Sequence, residues 1–191
     1  MMYFDTFGFF LVLPYCMRYW LLQSSFYFLL FFMLLLELYN IGTPQVSCSF
    51  NSFNLVNMRN AISLQGYVKI SPRQLLEELF YKIEHVPSWN PTLVECRTIQ
   101  PIDEYTDISY QVCAEAGGGV VSTRDFVNLR RWSVIDGVYI SAGGSIKHPA
   151  MPPQNKKVRG ENGPGCWAMR PVDGDPDLCL FQWLLDTDLK V

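Results

Sequence analysis

Charge is nearly missing from the start of this chain and nowhere gathers into a block. Only Asp5, Arg18 and Glu37 are charged among the first forty residues. Over the whole 191 residues, 15 basic and 18 acidic side chains leave a net charge of -3. Without a basic stripe there is no electrostatic footprint for nucleic acid, so none is expected as a partner. No C-x-x-C pair occurs among the six cysteines at 16, 48, 96, 113, 166 and 179, and no histidine stands near enough to complete a tetrahedral set. A metal centre is therefore not expected. Their wide spacing favours reduced, mostly buried thiols over a disulfide framework. Gly117, Gly118 and Gly119 are not followed by Lys-Ser/Thr, which removes a nucleotide phosphate loop. His85 and His148 lie far apart, neither beside a nucleophile. No catalytic residue and no cofactor is expected.

What the start has instead of charge is apolar bulk. From Tyr19 to Leu36 there is no charged residue, and Phe26 to Leu36 is wholly apolar, with Arg18 and Glu37 at the two ends. Such a run is about long enough to span a bilayer, which takes roughly 17 to 25 residues. Gln23, Ser24 and Ser25 interrupt it, and Met1-Met2-Tyr3-Phe4-Asp5 lacks the basic opening of a secretory signal. Residues 1–58 therefore stand apart as a hydrophobic segment with three readings: a transmembrane anchor, a buried or interfacial hairpin, or sequence foreign to the mature protein. If the segment is a span, its flanking charges lean towards a cytosolic N-terminus.

The remainder, residues 59–191, has the composition of a globular domain. Ala61 to Ile70 alternates loosely, predicting a strand with a bulge at Gly66. Ser71 can cap a helix, Pro72 suits its first position, and Gln74 stands in capping-box register; Leu75, Leu76, Leu79, Phe80 and Ile83 then recur at helical spacing. A loop follows at Pro87-Ser88-Trp89-Asn90-Pro91. Thereafter strand-like runs recur at 93–100, 108–114, 125–132, 138–145, 156–160, 166–170 and 178–186, parted by turns such as Asp136-Gly137 and Asp173-Gly174-Asp175-Pro176. This predicts an α+β fold in which one long, curved antiparallel sheet carries a helix that covers only part of its apolar face.

Three blocks are specific enough to suggest a family. The run Ala114-Glu115-Ala116-Gly117-Gly118-Gly119-Val120-Val121-Ser122-Thr123-Arg124-Asp125-Phe126-Val127-Asn128-Leu129-Arg130-Arg131 resembles the central signature of START lipid-binding domains. So do Val158-Arg159-Gly160-Glu161-Asn162-Gly163-Pro164-Gly165 and Trp183-Leu184-Leu185-Asp186-Thr187-Asp188-Leu189-Lys190, with the Trp89-Asn90 loop ahead of both. The look is that of the cholesterol-binding branch, from about Ile62 to Lys190.

The resemblance implies a helix-grip fold, in which a U-shaped sheet grips a long C-terminal helix over a lipid tunnel. That helix would follow Leu189-Lys190, and the sequence ends at Val191, so the domain is expected to be partial, without its lid helix and without first strands ahead of Ala61. It also implies ligand-binding residues at Val86, Asn90, Gln111, Asn128 and Arg130. In that branch a buried Arg pairs with an acid nineteen positions earlier. Here the Arg is Arg130, and the earlier position holds Gln111, which would leave the guanidinium without a countercharge. Strand parity sets Arg130 with Phe126, Asn128 and Trp132, opposite Val127 and Leu129. Arg124 and Asp125 are expected to shape the turn into the strand, Trp89 to pack in the core, and Asn90 either to line the tunnel or to cap its turn.

The expected function is binding of one lipid, cholesterol above all, and its transfer between membranes. A membrane-tethered sensor or regulatory domain, a fragment without function, and an enzyme of helix-grip type are the alternatives. Besides the sterol or other lipid, the expected partner is a membrane surface, by family analogy that of a late endosome or mitochondrion.

Overall fold

The computed structural model describes residues 47–49, 62–115 and 122–190. The hydrophobic stretch 19–36 and the glycine triplet 117–119 lie outside them. Among the described residues no helix is long and apolar enough to cross a membrane.

Eight strands follow one another across a single sheet: β1 (Ser47–Ser49), β2 (Ile62–Val68), β10 (Asp175–Leu185), β9 (Gly165–Val172), β6 (Val138–Ser145), β5 (Arg124–Ile135), β4 (Thr106–Cys113) and β3 (Leu93–Asp103). Every neighbouring pair is antiparallel. The short β7 (Val158–Arg159) adds in parallel beside the start of β5, while β8 (Glu161–Asn162) and β11 (Thr187–Asp188) form a separate ribbon. The predicted strands are all present, most of them longer than expected. Two corrections follow. A strand does precede Ala61, since β1 pairs with β2, Cys48 opposite Leu64. Gly66 forms no bulge, because it faces Phe181 within an unbroken register.

Hairpin geometry accounts for the long β5–β6 ladder. Asp136 and Gly137 both have positive φ, 49° and 76°, as a two-residue turn matching strand twist requires. That turn locks β5 to β6 from Ile135–Val138 out to Asn128–Ser145.

The predicted helix begins as expected and then changes pitch. Ser71 caps α1 (Pro72–Leu76) by accepting from the Gln74 backbone N–H at 3.3 Å. Next comes a π-helical turn (Glu77–Tyr81), a 3-10 turn (Ile83–His85) and α2 (Val86–Trp89), the last occupying what sequence predicts as loop. Pro87 fits there because a first-turn proline forfeits no helical hydrogen bond. Leu75, Leu76, Leu79, Phe80 and Ile83 are all buried against the concave sheet face, together with Trp132, Met169, Phe181 and Trp183. A second cluster lies on the opposite side of β4 and β5: Ile108, Tyr110, Val112 and Val127 with Met151 from the strap between β6 and β7. Alternation along β4 and β5 thus feeds two cores at once.

Candidate functional site

Where the helical segment stops short of covering the concave face, a cavity of about 150 Å³ remains, bounded by α2, β3 to β6, β9 and β10. Leu79, Val86, Leu93, Phe126, Trp167 and Trp183 give it an apolar wall. Its polar contributors include Thr92, Gln111, Arg124, Asn128, Arg130 and Asn162. The volume is below the roughly 300 to 1,000 Å³ of common drug-sized ligand sites, so a whole lipid needs the wall to yield.

Arg130 is only 5% exposed, and its countercharge is Asp107. Its Nε donates to Oδ1 of Asp107 at 2.8 Å and Nη2 to Oδ2 at 2.5 Å, a two-pronged clasp. The expectation that Gln111, at the earlier position, leaves Arg130 without a countercharge is therefore corrected. In the β4–β5 register Asp107 stands directly across from Arg130, whereas Gln111 faces Phe126. A count of nineteen residues cannot anticipate this, because register decides which acid is opposite.

Helix pitch completes the clasp. Lys82 N–H bonds back to the Glu77 carbonyl, five residues earlier, and the helix ends there. The carbonyls of Leu79 and Phe80 accept instead from Arg130 Nη1 and Nη2, at 3.2 and 3.1 Å. The guanidinium also lies over the Phe80 ring, 4.4 Å from its centre. Arg130 therefore joins helix to sheet, and its charge is already balanced before any ligand arrives.

The other expected residues divide. Val86 and Asn128 are on the cavity wall, as is Gln111, whose amide makes no side-chain hydrogen bond to another described residue. Asn128 accepts from Ser145 Oγ at 2.9 Å and from Asn162 Nδ2 at 3.2 Å, which fixes its orientation. Asn90 is not on the wall. It is fully buried, and its Oδ1 accepts from the backbone N–H and the hydroxyl of Thr92, the turn-capping alternative. Its Nδ2 has no partner among the described residues, nor has Ser109 Oγ. Trp89 packs against the helix–sheet core.

Arg124 opens β5 and holds Ser122 just ahead of it through Nη1, whereas Asp125, next along on the opposite face, points away from that entry. Asp125 is fully buried and clasped by Arg159, Nε to Oδ1 at 2.8 Å and Nη2 to Oδ2 at 2.9 Å, while Tyr110 donates its hydroxyl to Oδ2 at 3.1 Å. This bond to Asp125 holds the Arg159 guanidinium above its usual range. Arg124 belongs to the cavity side. Three cysteines, Cys96, Cys113 and Cys166, also reach the wall. Burial pushes Cys96 and Cys113 up to about 12, so they are neutral thiols there. Sequence reasoning missed Asp107 and the wall position of Arg124; β4–β5 register would have revealed the first.

Among the described residues a short helical segment lies over a curved antiparallel sheet with an apolar cavity between them, which is the sheet-and-cavity part of the arrangement the resemblance implies. The START domain family model matches residues 49–191. The chain belongs to the START family. Among curated relatives, the mitochondrial steroidogenic acute regulatory protein of Danio rerio is 42% identical over 116 residues, 61% of this chain and 41% of that protein. The Ovis aries protein of the same name is 37% identical over 117 residues, again 61% of this chain and 41% of the relative. The match thus spans about two fifths of these relatives' length. In structure, human STARD10 aligns with a TM-score of 0.64 at 22% identity, covering 80% of this chain and 60% of that one. Human StAR-related lipid transfer protein 5 gives 0.63 at 18% identity, covering 89% and 84%. These likenesses establish the START helix-grip fold.

Proposed function

We propose that this START domain holds one lipid, a sterol, in the cavity between α2 and the sheet and carries it between membranes without altering it. The observation that carries this is the wall itself, apolar over most of its area, with a fixed polar group at Arg130–Asp107 and an uncommitted amide at Gln111. Such a site rewards burial of a hydrocarbon body and orients one small polar group. A neutral hydroxyl suits it: Gln111 can both donate and accept, and balanced Arg130 asks for no anion. The names of the relatives, steroidogenic and lipid transfer, support the same reading, and their mitochondrial designation makes a mitochondrial membrane the proposed destination. Among the described residues the wall carries no His or Glu, and burial pushes its Cys96 and Cys113 thiols up to about 12, which suits holding a lipid unaltered.

Mass spectrometry of lipid extracted from the purified full chain tests the proposal. Sterol at near one equivalent per chain is the expected result. Recovery of no lipid from protein shown to be folded, and no uptake of added cholesterol, would overturn it. Cys166→Trp, which puts an indole on the cavity wall, should lower cholesterol uptake at least about tenfold, since lost pocket volume removes the burial that drives binding.

A further inference from the structure

Arg124 is a buried cation with only neutral acceptors among the described residues. It is 6% exposed and lies on the cavity wall, across the β4–β5 ladder from Cys113. Its Nε donates to the Leu189 carbonyl at 3.2 Å, and Nη1 donates to the carbonyl and, at 3.0 Å, the hydroxyl of Ser122. All of these acceptors are neutral. No carboxylate among the described residues lies within ion-pair distance of it, and Nη2 bonds to none of them. The contrast with the other buried arginine of the wall is sharp, since Arg130 has Asp107 on two prongs. Arg159, outside the cavity, has Asp125 in the same way. A buried guanidinium pays a large desolvation cost unless an anion answers it. Six positions of β5 separate Arg124 from Arg130, about 20 Å at strand rise, so the two cations mark different ends of the cavity.

We propose that Arg124 is an anion-recognition residue of the cavity, and that this domain takes amphiphiles bearing one acidic group, a sulfate, carboxylate or phosphate, with that group on Nη2 of Arg124. The proposal rests on the lipid-binding reading and narrows its ligand class. The apolar body of the ligand lies along Phe126, Trp167 and Trp183, and the Leu189 and Ser122 acceptors hold the guanidinium plane in place before the ligand enters. Arg130, already neutralised, offers an acidic group no equivalent site. Selectivity for charge thus resides at one end of the cavity and accommodation of a neutral polar group at the other.

The experiment compares cholesterol with cholesteryl sulfate on the full chain, by displacement of a fluorescent sterol. The wild type should bind the sulfated sterol at least about tenfold more tightly, as a charge-assisted hydrogen bond in a desolvated site implies. In Arg124→Gln, with folding checked by thermal melt, the ratio of the two affinities should fall to about one. An unchanged ratio overturns the proposal. Should that variant not fold, wild-type salt dependence decides. A sulfate preference that persists unchanged from low salt to high, in a site that opens enough to admit ligand, counts against an ionic contact, and a preference that falls counts for it. Inorganic sulfate at the same concentration should not displace the probe; displacement as strong as by the sulfated sterol would mean a free-anion site and sink the amphiphile reading. If cholesterol binds and the sulfate adds nothing, this inference fails alone. If neither sterol binds, the parent reading fails with it.

Discussion

At Asp107 and Arg130 the chain holds opposite charges face to face in a place nearly closed to water, 6% and 5% exposed. A clasp of this kind is weak evidence of net stabilisation, because desolvating two ions offsets much of their attraction, but breaking it from one side is costly. Asp107→Asn leaves Arg130 charged and half-answered, and should destabilise the fold by about 3 to 5 kcal/mol in urea unfolding. Asp107→Leu combined with Arg130→Met removes both charges and should cost less than the single change, a non-additivity that a double-mutant cycle reads directly. Arg130 was legible in the sequence through its signature, and parity grouped it with Phe126 and Asn128 on one side of the strand without saying which side; in the structure that side lines the cavity. The partner of Arg130 was not legible. Register is a property of two strands together, fixed by where each one ends, and nothing local to 107 or 111 says which will stand opposite 130.

Elements show a similar division. The helix start was readable because Ser71, Pro72 and Gln74 act within one turn, whereas the π turn was not, since its unpaired carbonyls are answered by Arg130, fifty residues on. The strap between β6 and β7 is another such case. It is held on the outer face by Arg159, which bridges Asp125 to the carbonyl of Met151, and by Met151 in the cluster of Ile108, Tyr110, Val112 and Val127. Lys157 donates to the Tyr110 hydroxyl at 3.1 Å, and this bond raises its own affinity for protons. Removing Arg159 leaves Asp125 buried and unanswered, so Arg159→Met should speed protease cleavage within residues 146–157 and lower the melting temperature. Unchanged cleavage would mean that packing of Met151 alone holds the strap. Close approach sets another constraint. A Cβ added at Gly165 would meet the Leu184 carbonyl oxygen at 2.7 Å, backbone against backbone. Gly165→Ala should therefore separate β9 from β10 beside the cavity and cost about 1 to 3 kcal/mol as an overpacking change.

At the scale of the whole molecule, the buried thiols among the described residues shape the response to alkaline pH. Cys96, Cys113, Cys166 and Cys179 are free, and burial raises Cys96, Cys113 and Cys179 from 9.0 to about 12. These groups are neutral when protonated, so the fold binds their protons more tightly than the unfolded chain does. Their contribution is fully present below pH 9 and is lost as pH rises towards about 12. Tyr110, raised mainly by its burial, has the same sign. Melting temperature should thus stay level through neutral pH and fall steeply on the alkaline side. Thiolate is the species that reacts, and three pH units of upward shift reduce it about a thousandfold at fixed pH. Iodoacetamide at pH 8 should label Cys96 and Cys179 in the native chain on the order of a thousandfold more slowly than in urea, with a ligand in the cavity slowing Cys96 further because it lines the wall and leaving Cys179 unaffected because it does not. Equal native and urea rates at Cys179 would show that the helix–sheet core opens faster than the reagent reacts, and the burial argument would fail for the core as a unit.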